Sequence, residues 1–370
     1  MRMNVDGSVT TPAVREPARP DGGERERQEI VQEYYGRTLK TSADLKTSAC
    51  CPTDAMPRHL QDLLSRVHEE VQARFYGCGS PIPPLLDGCT VVDLGCGAGR
   101  DSYLLAQLVG PEGRVIGVDM TDSQLQVANH YVAWHMDRFG YATPNVRFVK
   151  GLIEDLEAVG IADESVDVVV SNCVINLCAD KRAVFSEIFR VLKPGGELYF
   201  SDIFAGRRLP RELAEDPVLV GECLGGALYV EDFRRLLAAL GCVDYRVVRA
   251  RPVVIEDPEL AARLGPIPFF SLTIRAFKLT LEDRCEDYGQ VARYHGGIPH
   301  HPHAFALDDH HLFETGRLVP VCGNTAAMLT ETRYAPHFSV IGDRSRHYGL
   351  FPCGEADRPV RTDATPGGCC

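Results

Sequence analysis

Between residues 57 and 76 the apolar positions Leu60, Leu63, Leu64, Val67, Val71 and Phe75 recur at three- and four-residue spacing. That spacing predicts an amphipathic helix lying over a larger body. Further on the pattern changes to short runs rich in apolar residues at successive positions, at residues 90–94, 115–119, 146–149, 166–171 and 197–202. Helical periodicity separates them at 100–109, 123–139 and 181–192. A strand that is apolar on both faces has to be covered on both faces, so this alternation predicts a parallel sheet sandwiched between helices, an α/β doubly wound fold. After a helix at 230–240 and a strand at 245–251 the alternation stops, and proline and histidine become frequent. The expected division is an N-terminal segment 1–56, an α/β domain 57–250 and a small C-terminal α+β appendage with a tail, 251–370. The first 25 residues are too rich in charge, Pro and Gly to predict order. The appendage carries one strand-like run at 271–279 and one short helix after Asn324.

Composition narrows the class. The 370 residues are 45% apolar, enough for a substantial core, and no run approaches the roughly 20 apolar residues of a membrane span. The opening residues lack the apolar stretch of a secretory signal, so a soluble, cytoplasmic protein is expected, with no membrane partner. A formal charge of −12 and the lack of any basic run argue against nucleic acid as a partner. The 14 cysteines include no CxxC pair. With an ample core and no export signal they are expected to be mostly reduced thiols, and any soft-ligand site must draw on cysteines far apart in sequence.

The first apolar strand runs into Val91-Val92-Asp93-Leu94-Gly95-Cys96-Gly97-Ala98-Gly99-Arg100, a strand, glycine-rich turn and helix start. Glycines there permit positive φ and close approach of a ligand to the backbone. Asp119 ends the second strand, where a carboxylate can accept from both ribose hydroxyls. The turn is GxGxG rather than the GxGxxG of pyrophosphate binders, and Asp93 either orders the loop or meets the ammonium of an amino-acid moiety. This pattern, with Lys193-Pro194-Gly195-Gly196 before a later strand, resembles the Rossmann-like class I methyltransferases that use S-adenosyl-L-methionine, over roughly residues 70 to 250. The resemblance implies that Gly95, Gly97 and Gly99 line the methionine portion, that Asp119 holds ribose with Gln124 nearby, and that Met120, Leu152 and Ile153 surround adenine. It also places Asn172, Val174 and Ile175 at the sulfonium end. Tyr76, beside Gly77, offers a ring face that would attract the sulfonium by roughly 0.5–2 kcal/mol; the alternative is a packing residue at a helix end.

Three cysteines stand in contexts that suggest chemistry. Cys78 lies in Tyr76-Gly77-Cys78-Gly79-Ser80-Pro81, Cys173 in Ser171-Asn172-Cys173-Val174-Ile175-Asn176 at a strand's carboxyl end, and Cys223 in Gly221-Glu222-Cys223-Leu224-Gly225-Gly226. Burial as a small hydrophobe is the ordinary fate of any one cysteine. Together these segments resemble the arsenite S-adenosylmethionine methyltransferase family, over about residues 30 to 350, including Pro320-Val321-Cys322-Gly323-Asn324-Thr325. In that family the matching cysteines, here Cys78, Cys173 and Cys223, bind trivalent arsenic, and Leu45-Lys46-Thr47-Ser48-Ala49-Cys50-Cys51 looks like its redox segment. The resemblance implies arsenite and methylarsenite as substrates, in the form of thiol conjugates, and a disulfide formed by Cys50 or Cys51 with Cys78 and reset by thioredoxin or glutathione. Two other readings remain: a methyltransferase for a small organic O, C or S nucleophile with structural cysteines, and a metalloid-binding protein without catalysis. The histidines His300, His301, His303, His310 and His311 match no zinc spacing and are expected in a surface loop. Cys369 and Cys370 are expected to be an incidental terminal pair.

Overall fold

A computed structural model describes residues 56–77 and 79–353, together with Gln28 and Val31. Its centre is an eight-stranded sheet: β1 (Thr90–Leu94), β2 (Arg114–Asp119), β3 (Val146–Lys150), β4 (Val166–Asn172), β5 (Leu192–Ala205), β6 (Leu228–Tyr229), β7 (Tyr245–Pro252) and β8 (Phe269–Phe277). The order is β3-β2-β1-β4-β5-β8-β7, with β6 paired to the end of β5. The first five strands are parallel, β8 is antiparallel to β5 and β7 is antiparallel to β8. Chain order reverses between β1 and β4, and in such sheets ligands bind beyond the carboxyl ends of the strands at that switch.

Alternation along β1 divides the interior. Val92 and Leu94 join Ile116, Val169, Phe185 and Ile188 on one face, against the helices Lys181–Val191 and Val230–Ala239. Val91 joins Val115, Val168 and Val170 on the other, against Arg100–Val109 and the N-terminal helices. Both faces are therefore apolar, as the apolar-rich strand pattern required. The N-terminal stripe forms two short helices, Arg58–Leu64 and Glu69–Ala73, rather than one. His68 breaks it: its ring nitrogen accepts from Glu70 N at 3.2 Å and starts a second helix. Leu60, Leu64, Val67 and Val71 are nonetheless all buried, in the same apolar cluster as Val91 and Leu104.

The expected boundary near residue 250 falls within this sheet. The run at 271–279, which the pattern assigned to the appendage, is largely β8, hydrogen-bonded to β5 from Glu197–Phe277 to Ala205–Phe269. An antiparallel neighbour needs no crossover helix, so the alternation ends before the sheet does. The α+β unit lies C-terminal to β8. It comprises a three-stranded antiparallel sheet of 318–321, 290–294 and 338–341, the helix Gly323–Thr330, and a core containing Tyr294, Phe305, Phe313, Tyr334 and Phe338.

The joint between the two parts is ionic and buried. Arg275 on β8 donates to Glu197 on β5 at 2.5 Å, to Leu307 O, and to Tyr334 Oη at 3.1 Å. Arg333 pairs with the other Glu197 oxygen and donates to Pro84 O at 3.0 Å. The Lys193-Pro194-Gly195-Gly196 turn belongs to the same joint. Gly195 has φ 76° and donates to Lys278 O at 2.8 Å, and a Cβ there would lie 2.4 Å from Glu331 O. Glycine is thus required by close approach of the second unit.

Candidate active site

The turn after β1 is folded back over β2: Gly95 N and Cys96 N donate to Val118 O at 2.8 and 3.1 Å. Gly95, Gly97 and Gly99 all have positive φ, 67°, 53° and 90°. A Cβ on Gly95 would strike Val174 at 2.4 Å, whereas one on Gly97 would project into open space. That space is a cavity of about 1040 Å³, open to solvent, at the β1/β4 switch. Its walls include Tyr76, Gly77, Asp93, Gly95, Gly97 and Asp119. Met120, Gln124, Leu152, Ile153, Asn172, Cys173 and Val174 complete the expected set around it. Gly99 and Ile175 are not among these walls. Gly99 precedes the helix Arg100–Val109, with the Phe148 ring 2.7 Å from where its Cβ would be. Ile175 is turned into the core at 2% exposure.

The cavity's electrostatics favour a cation. Asp119 accepts from Gly97 N at 2.9 Å and Thr121 N at 2.8 Å, one bond to each carboxylate oxygen. The Thr121 side chain and the Met120 backbone add to these bonds and orient the carboxylate at the cavity wall. Asp93 accepts from Ser102 Oγ at 2.5 Å, and burial, then the nearby Asp101, pushes its carboxyl up to about 8. Asp101 in turn accepts from Arg100 Nη2 at 2.7 Å and from Asn172 Nδ2 at 2.8 Å. The Arg100 guanidinium also lies over the Phe75 ring, 3.0 Å from its centroid.

Two of the three expected arsenic-binding cysteines meet here. Cys223 Sγ donates to Cys173 O at 3.3 Å, and both side chains are buried. Both residues have left-handed backbone, φ 57° and 61°, a conformation that costs a non-glycine residue roughly 1–2 kcal/mol. Asn176 braces the pair, donating to Cys223 O at 3.3 Å and Ile203 O at 2.6 Å. Cys173 is disulfide-bonded. Cys78 itself lies outside the described residues, as do Cys50, Cys51, Cys369 and Cys370. Its neighbours are placed, however: Gly77 lines the cavity, and Gly79 exchanges two hydrogen bonds with the Asn172 side chain, at 3.2 and 2.9 Å.

Likeness to known proteins decides the family. A family model described as a methyltransferase domain matches residues 85–241, and one described as the arsenite methyltransferase C-terminal domain matches residues 288–363. An arsenite methyltransferase of Aquipseudomonas alcaligenes is 59% identical over 328 residues, 88% of this chain and 94% of its own length. The chain belongs to the arsenite methyltransferase family. Another member, from Homo sapiens, is 42% identical over 93% of this chain and 96% of its own. The solved arsenic(III) S-adenosylmethionine methyltransferase of Chlamydomonas reinhardtii superposes with a TM-score of 0.78 at 50% identity, covering 80% of this chain and all of that one. The class I methyltransferase fold read from the sequence is thereby established.

For an arsenite methyltransferase, the structure adds wall residues that sequence reading missed. Arg100 and Asp101 stand directly after the glycine turn, so adjacency was the available signal; Cys178 and Glu154 carried none. The Cys178 thiol is pushed well up by burial, with Glu154 beside it. The histidines take structural places. His300 stacks on His59 at 4.0 Å between centroids, and the His311 ring is held by Asp308 at 2.8 Å. No helix among the described residues is long and apolar enough to cross a membrane.

Proposed function

We propose that this protein transfers a methyl group from S-adenosylmethionine to trivalent arsenic bound by Cys78, Cys173 and Cys223. The observation that carries this reading is the bond from the Cys223 thiol to the backbone carbonyl of Cys173, a wall residue of a glycine-lined, acidic cavity. The cavity suits the cofactor on its own terms. Gly97 leaves room for close approach, Asp119 sets a carboxylate in the wall where ribose hydroxyls would donate, and Asp93 and Asp101 offset a cationic moiety.

When bound, S-adenosylmethionine supplies a methyl carbon made electrophilic by its positive sulfur. The protein's residues hold and align. Asp93 would meet the ammonium, Met120, Leu152 and Ile153 would flank adenine, and the Tyr76 ring would attract the sulfonium. Soft thiolates hold soft trivalent arsenic and leave its lone pair free. That lone pair is the nucleophile, so no side chain need act as a general base. Alignment of arsenic with the methyl carbon supplies on the order of 7–11 kcal/mol through proximity.

Transfer leaves arsenic formally pentavalent. Two electrons from a pair of thiolates, which become a disulfide, return it to the trivalent state for a further round. Cys50 or Cys51 with Cys78 is the proposed pair, and thioredoxin or glutathione of a reducing cytoplasm the proposed reductant. A sulfur already in a disulfide, as Cys173 is here, cannot ligate arsenic, so reduction has to precede binding. The test is purified protein with arsenite, thiol reductant and methyl-labelled cofactor, with arsenic species separated over time. Unchanged methylation by C78S, C173S and C223S variants would overturn the assignment in favour of an organic nucleophile.

A further inference from the structure

A second group of cysteines lies in the C-terminal unit, away from the cavity. Cys285, Cys322 and Cys353 are free thiols whose sulfurs all lie within 4.8 Å of one another. They come together through short strands. Cys285 and Cys353 flank the paired segments Glu286–Asp287 and Gly349–Leu350, where Phe351 N donates to Cys285 O at 2.7 Å. Cys322 joins strand Leu318–Val321 to helix Gly323–Thr330.

The surroundings are built for sulfur that carries negative charge. Cys322 is fully buried, caps the helix, and its sulfur accepts from Thr325 N at 3.4 Å and contacts Thr325 Oγ1 at 3.2 Å. Thr325, which is hydrogen-bonded to the Cys322 sulfur, also accepts from Arg246 Nη2 at 3.2 Å. Arg246 is 9% exposed; it is paired with Asp244 and Asp308, yet its Nε is buried with no hydrogen-bond partner. A positive group with an unused donor beside three converging sulfurs points to an occupant that brings the sulfurs in as thiolates.

We infer that Cys285, Cys322 and Cys353 form a second binding site for trivalent arsenic, separate from the methyl-transfer cleft. Among the described residues the group holds three sulfur donors and no fourth histidine, cysteine or carboxylate, which suits a three-coordinate pyramidal ion; structural zinc takes four donors. The chemistry is a condensation. Arsenous acid, As(OH)3, reacts with three thiols; three As–O bonds break, three As–S bonds form, and each thiol proton leaves with a hydroxyl as water. Arsenic stays trivalent and no electrons move. Cys285 and Cys353, only half-buried, give the ion a route in.

The test uses the full-length chain with Cys50, Cys51, Cys78, Cys173, Cys223, Cys369 and Cys370 all changed to serine, under reductant, with arsenite as the probe. One arsenic per chain with three sulfur neighbours by X-ray absorption is expected, lost on adding C322S and also on adding C285S or C353S at unchanged thermal melting. The partly exposed positions keep the test valid should C322S fail to fold. No retained arsenic, retention after all three are serine, or zinc held in preference to arsenite would each overturn the site. In the otherwise native chain, C285S/C322S/C353S should bind one arsenic fewer while methylating arsenite at the native rate. Loss of this stoichiometric difference with methylation intact would sink the second site alone; absence of methylation by the native chain would sink the proposed function alone.

Discussion

The two cysteine groups are chemically alike and differ in the charged groups nearest them. At the cleft, Cys173 and Cys223 sit in left-handed backbone beside a cavity lined by Asp93, Asp101 and Asp119. In the C-terminal unit, Cys322 caps a helix beside Arg246. Carboxylates attract a cationic methyl donor but discourage thiolate; a helix N-terminus and a guanidinium do the reverse. The contrast teaches that a site which must react and a site which must only hold place different demands on one side chain. Reaction wants arsenic next to a sulfonium, and holding wants ionised sulfur.

The largest effect expected from breaking this contrast is at the cleft. Replacing Cys223 by serine should lower kcat/KM for arsenite by about a hundred-fold or more while calorimetry shows S-adenosylmethionine still binding. Loss of cofactor affinity instead would mean that the cysteine supports the nucleoside pocket. Next comes the joint that holds the two regions together. Removing one partner of a buried ion pair strands the other charge, so E197Q should cost roughly 3–5 kcal/mol of stability, read as a fall in the urea midpoint.

A smaller effect sharpens the electrostatic half of the comparison. Asp93, with its carboxyl pushed up to about 8 by burial and Asp101, is largely protonated at neutral pH. A cation prefers the ionised form, so cofactor binding should release a proton. Its Kd should fall by up to about tenfold per pH unit between about pH 6 and pH 8, then level off. D93N should abolish the slope; a slope that survives assigns the proton elsewhere. The smallest change is expected from N172A, which removes both side-chain bonds to Gly79. That should raise the KM for arsenite several-fold, measured by steady-state kinetics.

Much of the cleft was legible in sequence because its parts are local. The apolar-rich runs of β1 to β5 and the glycine turn after β1 each declare themselves within short stretches of sequence. Cys173 and Cys223 were visible through the segments around them, while their direct contact was not, since it depends on the turn at Ile175–Leu177 and on Asn176 reaching Ile203. β8 was displaced into the appendage because antiparallel pairing carries no helical punctuation. Of the trio Cys285, Cys322 and Cys353, only the segment around Cys322 stood out in sequence: three cysteines far apart along the chain are brought together only by the closure of very short strands.

One contact couples events that kinetics usually treats as separate. Gly95, in the turn that cradles the cofactor, rests against the side chain of Val174, the residue after Cys173. Any yielding of that turn as the nucleoside enters is transmitted to the neighbouring sulfur, and any shift of the sulfur as the metalloid docks is transmitted back. Each substrate should therefore alter the other's affinity, and by thermodynamic reciprocity the two alterations must be equal.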